Sequence, residues 1–170
     1  MKENFEVNLD NLTQKEKESF LKLIKKSETI LEPTEKHWKG KQGDVYYAIT
    51  SEGRIVEHIE AESVYDKQCY QFGNYFQTKE EADFTKKRQL IYQQLKDYAV
   101  KHNEEKINWE NLNQEKAYIR FNAYIWDVEA GFTYEKKDIG QIYFTPRVIA
   151  INAIKEIGKE NIKHYLFGID

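Results

Sequence analysis

"GNYFQTKEEADF" (Gly73–Phe84) reads as the end of an extended segment, a capping residue and the first turn of a helix, and "GQIYFTPRVIA" (Gly140–Ala150) reads almost the same way. In the first stretch Tyr75 and Phe76 end the extended part and Thr78 takes the N-cap position. Glu80, Glu81 and Asp83 then face the positive end of the helix dipole. In the second, Ile142, Tyr143 and Phe144 end a strand, Thr145 is expected to cap, and Pro146 suits the first helical position, where its missing N–H costs nothing. The same junction built twice decides the fold, because each copy follows a hairpin signal.

Upstream of the first junction, "DVYYAIT" (Asp44–Thr50) and "RIVEHIE" (Arg54–Glu60) are rich in β-branched and aromatic residues and are joined through Gly53, which can take the positive φ of a tight turn. Ala61 to Phe72 reads as irregular. Downstream, a long helix is expected to about His102, with Phe84, Ile91, Leu95 and Tyr98 as its buried stripe and Lys86, Lys87, Arg88 and Lys96 on a solvated face. Before the second junction, "AYIRFNAYIWDVE" (Ala117–Glu129) alternates as one strand, Gly131 marks a turn, and Phe132 to Lys136 returns as its partner. Ile149, Ala150, Ala153, Ile154 and Ile157 give the second helix its apolar face, Gly158 stops it, and a final short helix brings Ile162, Tyr165 and Leu166 to the core.

A hairpin alone is marginal in water and one helix covers only part of a sheet face, so pairing two units is expected to give one shared core. The N-terminus adds a strand at Phe5, Val7 and Leu9, a helix started by a Thr13/Glu16 capping box and running to about Lys26 through Phe20, Leu23 and Ile24, and a loop to Gly43 pinned by Trp38. The predicted class is α+β, a single domain over 1–170. Residues 1–43 form the N-terminal strand, helix and loop, 44–106 the first hairpin and helix unit, and 107–170 the second.

Composition restricts function more than it reveals it. With 26 Lys and Arg against 29 Asp and Glu, interspersed along the chain, no bulk positive charge is available to neutralise a phosphate backbone. The single cysteine, Cys69, rules out an internal disulfide and fits a reducing compartment. No signal-peptide core and no bilayer-length apolar run appears, so a cytoplasmic protein without a membrane partner is expected. His37, His58, His102 and His164 lack metal-ligand spacing, no phosphate-binding glycine motif occurs, and no carboxylate pair stands out. The residues therefore predict a non-enzymatic protein without cofactor or metal.

Two surfaces read as candidate binding sites. On Tyr118, Arg120, Asn122, Tyr124 and Trp126, aromatics alternate with polar groups suited to stacking nucleobases or anchoring a protein partner. The alternative is that the other unit's helix covers this face and Arg120 and Asn122 pair internally. Along Glu57, Glu60, Glu62 and Asp66, spaced carboxylates are suited to imitating a phosphate backbone in a nuclease groove, or else form a solvated strand face.

The stretches Val7–Glu28, Tyr46–His58, Phe72–Asp83 and Gly140–Gly168 together resemble a family of small phage and prophage accessory proteins of low-GC Gram-positive bacteria, with one departure: Trp38 is followed by Lys39 and Gly40 where such proteins commonly carry a Pro. The resemblance implies a viral protein and, from the company such proteins keep, an inhibitor of host defence of the anti-CRISPR kind. The expected function is binding and inhibition of a host protein, with a defence nuclease as the first candidate. The alternatives are a binder of nucleic acid or of a nucleotide messenger through the aromatic face, and a phage structural or assembly factor.

Overall fold

The computed structural model describes residues 13–19 and 38–169, and the chain divides into two compact units, Met1–Trp38 and Lys39–Asp170. In the first unit residues 14–19 are helical. The Glu16 carboxylate accepts both the Thr13 amide (2.8 Å) and the Thr13 hydroxyl (2.6 Å), so only the carboxylate limb of the expected capping box forms. The expected strand at Phe5, Val7 and Leu9, the helix beyond Ser19 and the loop before Trp38 lie outside the described residues.

The second unit is α+β, with two small antiparallel sheets. Its elements are β1 (Val45–Ile49), β2 (Ile55–Ile59), α1 (Val64–Gln71), α2 (Lys79–His102), β3 (Lys116–Asn122), β4 (Asp127–Thr133), β5 (Tyr143–Phe144), α3 (Arg147–Ile157) and α4 (Lys159–Phe167). The first hairpin turns where expected: Gly53 adopts φ 74°, and Thr50 and Arg54 close the loop through a 2.8 Å backbone bond.

Both junctions share one plan. Phe76 pairs with Tyr47 across the free edge of β1 through two 2.9 Å backbone bonds, and Phe144 pairs with Ala117 across the free edge of β3. Each hairpin's first strand is therefore central, flanked by its own second strand and by the short segment that leads into a helix. Beyond each pair a side-chain amide extends the ladder. Asn74 accepts from the Ile49 amide (2.8 Å) and donates to the Ile49 carbonyl (2.9 Å), and Gln141 donates weakly to the Ile119 carbonyl (3.4 Å).

The helix starts differ. Thr78 forms a full capping box with Glu81, whereas Pro146 itself is the N-cap of α3 and the Thr145 hydroxyl caps nothing. Thr145 instead gives its backbone to the end of α2: its amide donates to Asn103 Oδ1 (3.0 Å) and its carbonyl accepts from the Glu104 amide (3.0 Å). Asn103 Nδ2 also donates to the Tyr143 carbonyl, so this one side chain satisfies the outer edge of β5.

Three further expectations are corrected. The stretch read as irregular contains α1, started by a Ser63/Asp66 capping box. The strand read as continuous from Ala117 to Glu129 is broken by a turn over residues 123–126, because Asn122 Oδ1 accepts the Tyr124 amide (3.0 Å) and Trp126 enters the left-handed region at φ 55°. Gly131, read as a turn, lies inside β4 opposite Tyr118, where an added Cβ would stand 3.0 Å from Arg120 Cδ and 3.1 Å from Tyr118 Cζ.

The apolar core belongs to the second sheet and its helices. Ala117, Ile119, Val128 and Ala130 of β3 and β4 pack with Phe144, with Ala150, Ala153 and Ile154 of α3 and with Ile162 of α4. The long helix completes it with Ile91, Leu95 and Ala99, and also packs on β1 and β2. Within the second unit the two hairpins are thus joined through α2.

Candidate functional site

The candidate aromatic face is divided in two by the hairpin turn. Tyr118, Arg120 and Asn122 do share the outer face of β3, as the alternation requires. Directly across from Arg120, Glu129 gathers the polar groups: its Oε1 accepts Arg120 Nε (2.9 Å), Arg120 Nη2 (2.6 Å) and Asn122 Nδ2 (2.9 Å). The first effect of these bonds is to hold the Glu129 carboxyl below its usual range, Arg120 contributing most, and Glu129 in turn raises the Arg120 guanidinium. Arg120 and Asn122 are therefore paired internally, within their own hairpin rather than under a helix. Tyr118 is half-buried, edge-on to Tyr143 at 6.2 Å.

Tyr124 and Trp126 leave that face altogether and stand on the turn. Tyr124 is 101% exposed, Ile125 59% and Trp126 58%. Trp126 is steadied by an edge contact with Phe121 at 5.3 Å, and Asp127 at the end of the turn pairs with Lys159 of α4. Three consecutive large apolar residues thus project from a turn whose base is fixed on both sides. No alternation argument reaches this arrangement, because the signal lies in the residues that bound it: Asn122 and Asp127, both able to bond their own backbone neighbours.

The acidic run also separates. Glu57 and Glu62 are exposed, but Glu60 and Asp66 are 2% and 4% exposed and face tyrosines. The Tyr46 hydroxyl donates to Asp66 Oδ1 and the Tyr75 hydroxyl to Glu60 Oε2, each at 2.7 Å, while the two rings stack at 4.0 Å. Asp66 Oδ2 accepts the Ala61 and Ser63 amides, both at 3.0 Å. Burial alone would raise the Asp66 pKa, but the bonds from Tyr46, Ser63 and the two amides outweigh it and leave it at about 2. Burial, followed by the facing carboxylates, raises both tyrosines well above their ordinary value. Asp66 thus anchors α1 to β1 and Glu60 ties the segment after α1 to the end of β2, and the four acidic residues present no continuous charged surface.

The described histidines pack on rings: His58 on Tyr46, His102 on Tyr98 and His164 on Phe84 and Tyr165. Cys69 is buried. Among the described residues no three His, Cys, Asp or Glu side chains are gathered as a metal would need, and no helix is long and apolar enough to cross a membrane.

One feature escapes sequence reasoning entirely. A groove of about 480 Å³ runs between α2, the edge of β3 and β5, and the end of α4. Its floor is Leu95, Ile119, Ile142 and Phe144, and its α2 wall is Thr85, Arg88, Gln89 and Tyr92, spaced so that they share one helix face. Residues so far apart in the chain leave no local signature. No family model, no curated protein and no solved structure shows significant similarity to this chain.

Proposed function

We propose that the chain is a non-catalytic protein that binds a partner protein with the tip of the β3–β4 hairpin. The observation that carries this reading is the exposure of Tyr124, Ile125 and Trp126 on a turn braced by Arg120, Asn122 and Glu129. Tyrosine and tryptophan are the side chains that most often dominate binding energy, and a braced turn loses little entropy when it docks. The resemblance to phage accessory proteins makes the partner a host protein met in the host cytoplasm, with a defence nuclease as the first candidate and stoichiometric inhibition as the mode of action.

The test compares the wild-type chain with Tyr124→Ala/Trp126→Ala as capture reagents for purified defence nucleases and as protectors of phage in cells. The wild type should inhibit one nuclease at equimolar amounts, and the double variant should weaken binding by about 100-fold or more, as loss of two anchors does. Inhibition unchanged in the variant, or no captured nuclease together with no protection, overturns the reading.

The same exposed rings favour a second reading, stacking of nucleic acid or a nucleotide messenger. Arg120 is already committed to Glu129, which leaves stacking as the main contribution. Quenching of Trp126 fluorescence by oligonucleotides or cyclic nucleotides supports it, and fluorescence that does not change removes it.

A further inference from the structure

We infer that the groove beside α2 binds a small amphiphilic carboxylate, an alkyl or aryl acid whose apolar body lies on Ile142, Leu166 and Phe167 and whose carboxylate meets Arg88. At about 480 Å³ the groove falls within the size range of small-molecule sites, and like them it has an apolar floor and few polar groups. Ile119 is 6% exposed and Phe144 is fully buried, so the floor is part of the core itself.

The polar groups fall into two kinds. Two of them hold the wall together: the Tyr92 hydroxyl donates to the Gly140 carbonyl (2.9 Å) and the Gln141 amide to the Ile119 and Ile142 carbonyls (3.4 and 3.3 Å). Arg88 and Gln89, in contrast, make no side-chain hydrogen bond or ion pair among the described residues. Of the cations on α2, Arg88 is the one that lines the groove, while the neighbouring Lys87 is paired with Asp83 at 2.7 Å. None of the lining residues is acidic. A single guanidinium above an apolar floor matches a monocarboxylate, which accepts two parallel N–H bonds from the arginine fork. A phosphate dianion would require more positive charge than one arginine supplies. This site shares no residue with the hairpin tip, so it stands independently of the proposed partner binding.

The experiment titrates the full chain with decanoate, decanol and decylamine, read by calorimetry and by the backbone amide signals of Gly140 and Gln141. Decanoate should bind saturably and shift both amides. Arg88→Gln should weaken decanoate by about tenfold or more and leave decanol unchanged, the signature of a lost charge-assisted pair. Gln89→Trp, which fills the groove mouth, should remove both. Arg88 and Gln89 are exposed on the helix surface, so neither change threatens folding. The inference is overturned by absence of saturable decanoate binding, by decanoate affinity indifferent to Arg88→Gln, or by decylamine binding as tightly as decanoate.

Discussion

The two hairpin units are built to one plan and hold themselves together by different chemistry. In each, the residue just before the junction contact on the central strand is fully buried and ends in a polar group: Tyr46 beside Tyr47 in the first, Lys116 beside Ala117 in the second. Tyr46 stacks on Tyr75, and the two hydroxyls reach buried carboxylates that tie down the loop and helix beyond β2. Lys116 donates instead to three backbone carbonyls, those of Asn111, Gln114 and Tyr134 (2.8, 2.9 and 2.9 Å), and its ammonium lies 5.5 Å from the Trp109 ring. The opposite faces diverge further: Ala117 and Phe144 join the apolar core, whereas Tyr47 is half-buried. A shared backbone plan therefore does not dictate a shared core. It fixes where polar atoms become buried, and each unit satisfies them with what its neighbouring loop offers.

The largest effects should separate the two phenylalanines of the junctions. Phe144→Ala removes a ring from the centre of the apolar cluster and should cost about 3–5 kcal/mol in chemical denaturation. Phe76→Ala, outside that cluster, should cost less, and equal losses would mean that the two sheets share one core after all.

The paired polar positions should follow. Lys116→Met leaves the buried Gln114 carbonyl and the part-buried Asn111 and Tyr134 carbonyls without their donor and should cost about 2–3 kcal/mol. Tyr46→Phe deletes a single donor to Asp66, which keeps its two amide partners, and should cost about 1–2 kcal/mol.

The smallest contrast is between the two look-alike threonines. Thr78→Val removes the hydroxyl that accepts the Glu81 amide at 3.1 Å and should cost about 1 kcal/mol. Thr145→Val at the second junction removes no cap and should stay within about 0.5 kcal/mol. Equal losses at the two sites would show that Thr145 supports its helix by a route the N-cap geometry does not contain.

What could be read from the sequence was what local residues decide. Gly53 between two β-branched runs gave away the first hairpin, and Thr78 with Glu81 marked the start of α2, whose end at His102 also fell where periodicity placed it. Helix α1 was hidden because its buried residues are Asp66 and Cys69, so no apolar stripe announces it; the Ser63/Asp66 box was the available signal. The turn at residues 123–126 was hidden by the strand preference of Tyr124, Ile125 and Trp126, which are exposed and so face no packing demand of their own. Glu60 and Asp66 looked like surface charge because their tyrosine partners come from other segments. The groove depends on α2, β3, β5 and α4 being placed together, and tertiary assembly of that kind has no period in the chain.

The contrast between a polar first hairpin and an apolar second hairpin is tested most directly by acid. Asp66 titrates at about 2 in the folded protein against 3.8 for the free side chain, so its ionised form contributes about 2 kcal/mol above pH 4. That contribution is lost as pH falls through about 4 toward about 2. In the second sheet Asp127 and Glu129 are also lowered, chiefly by Lys159 and by Arg120, but both pairs are partly open to solvent and their loss should matter little. Amide hydrogen exchange followed from pH 5 down to pH 2 should therefore show Val45–Ile49 and Ile55–Ile59 losing protection before Lys116–Asn122 and Asp127–Thr133. Simultaneous loss in both sheets, or loss in the second sheet first, would contradict the account.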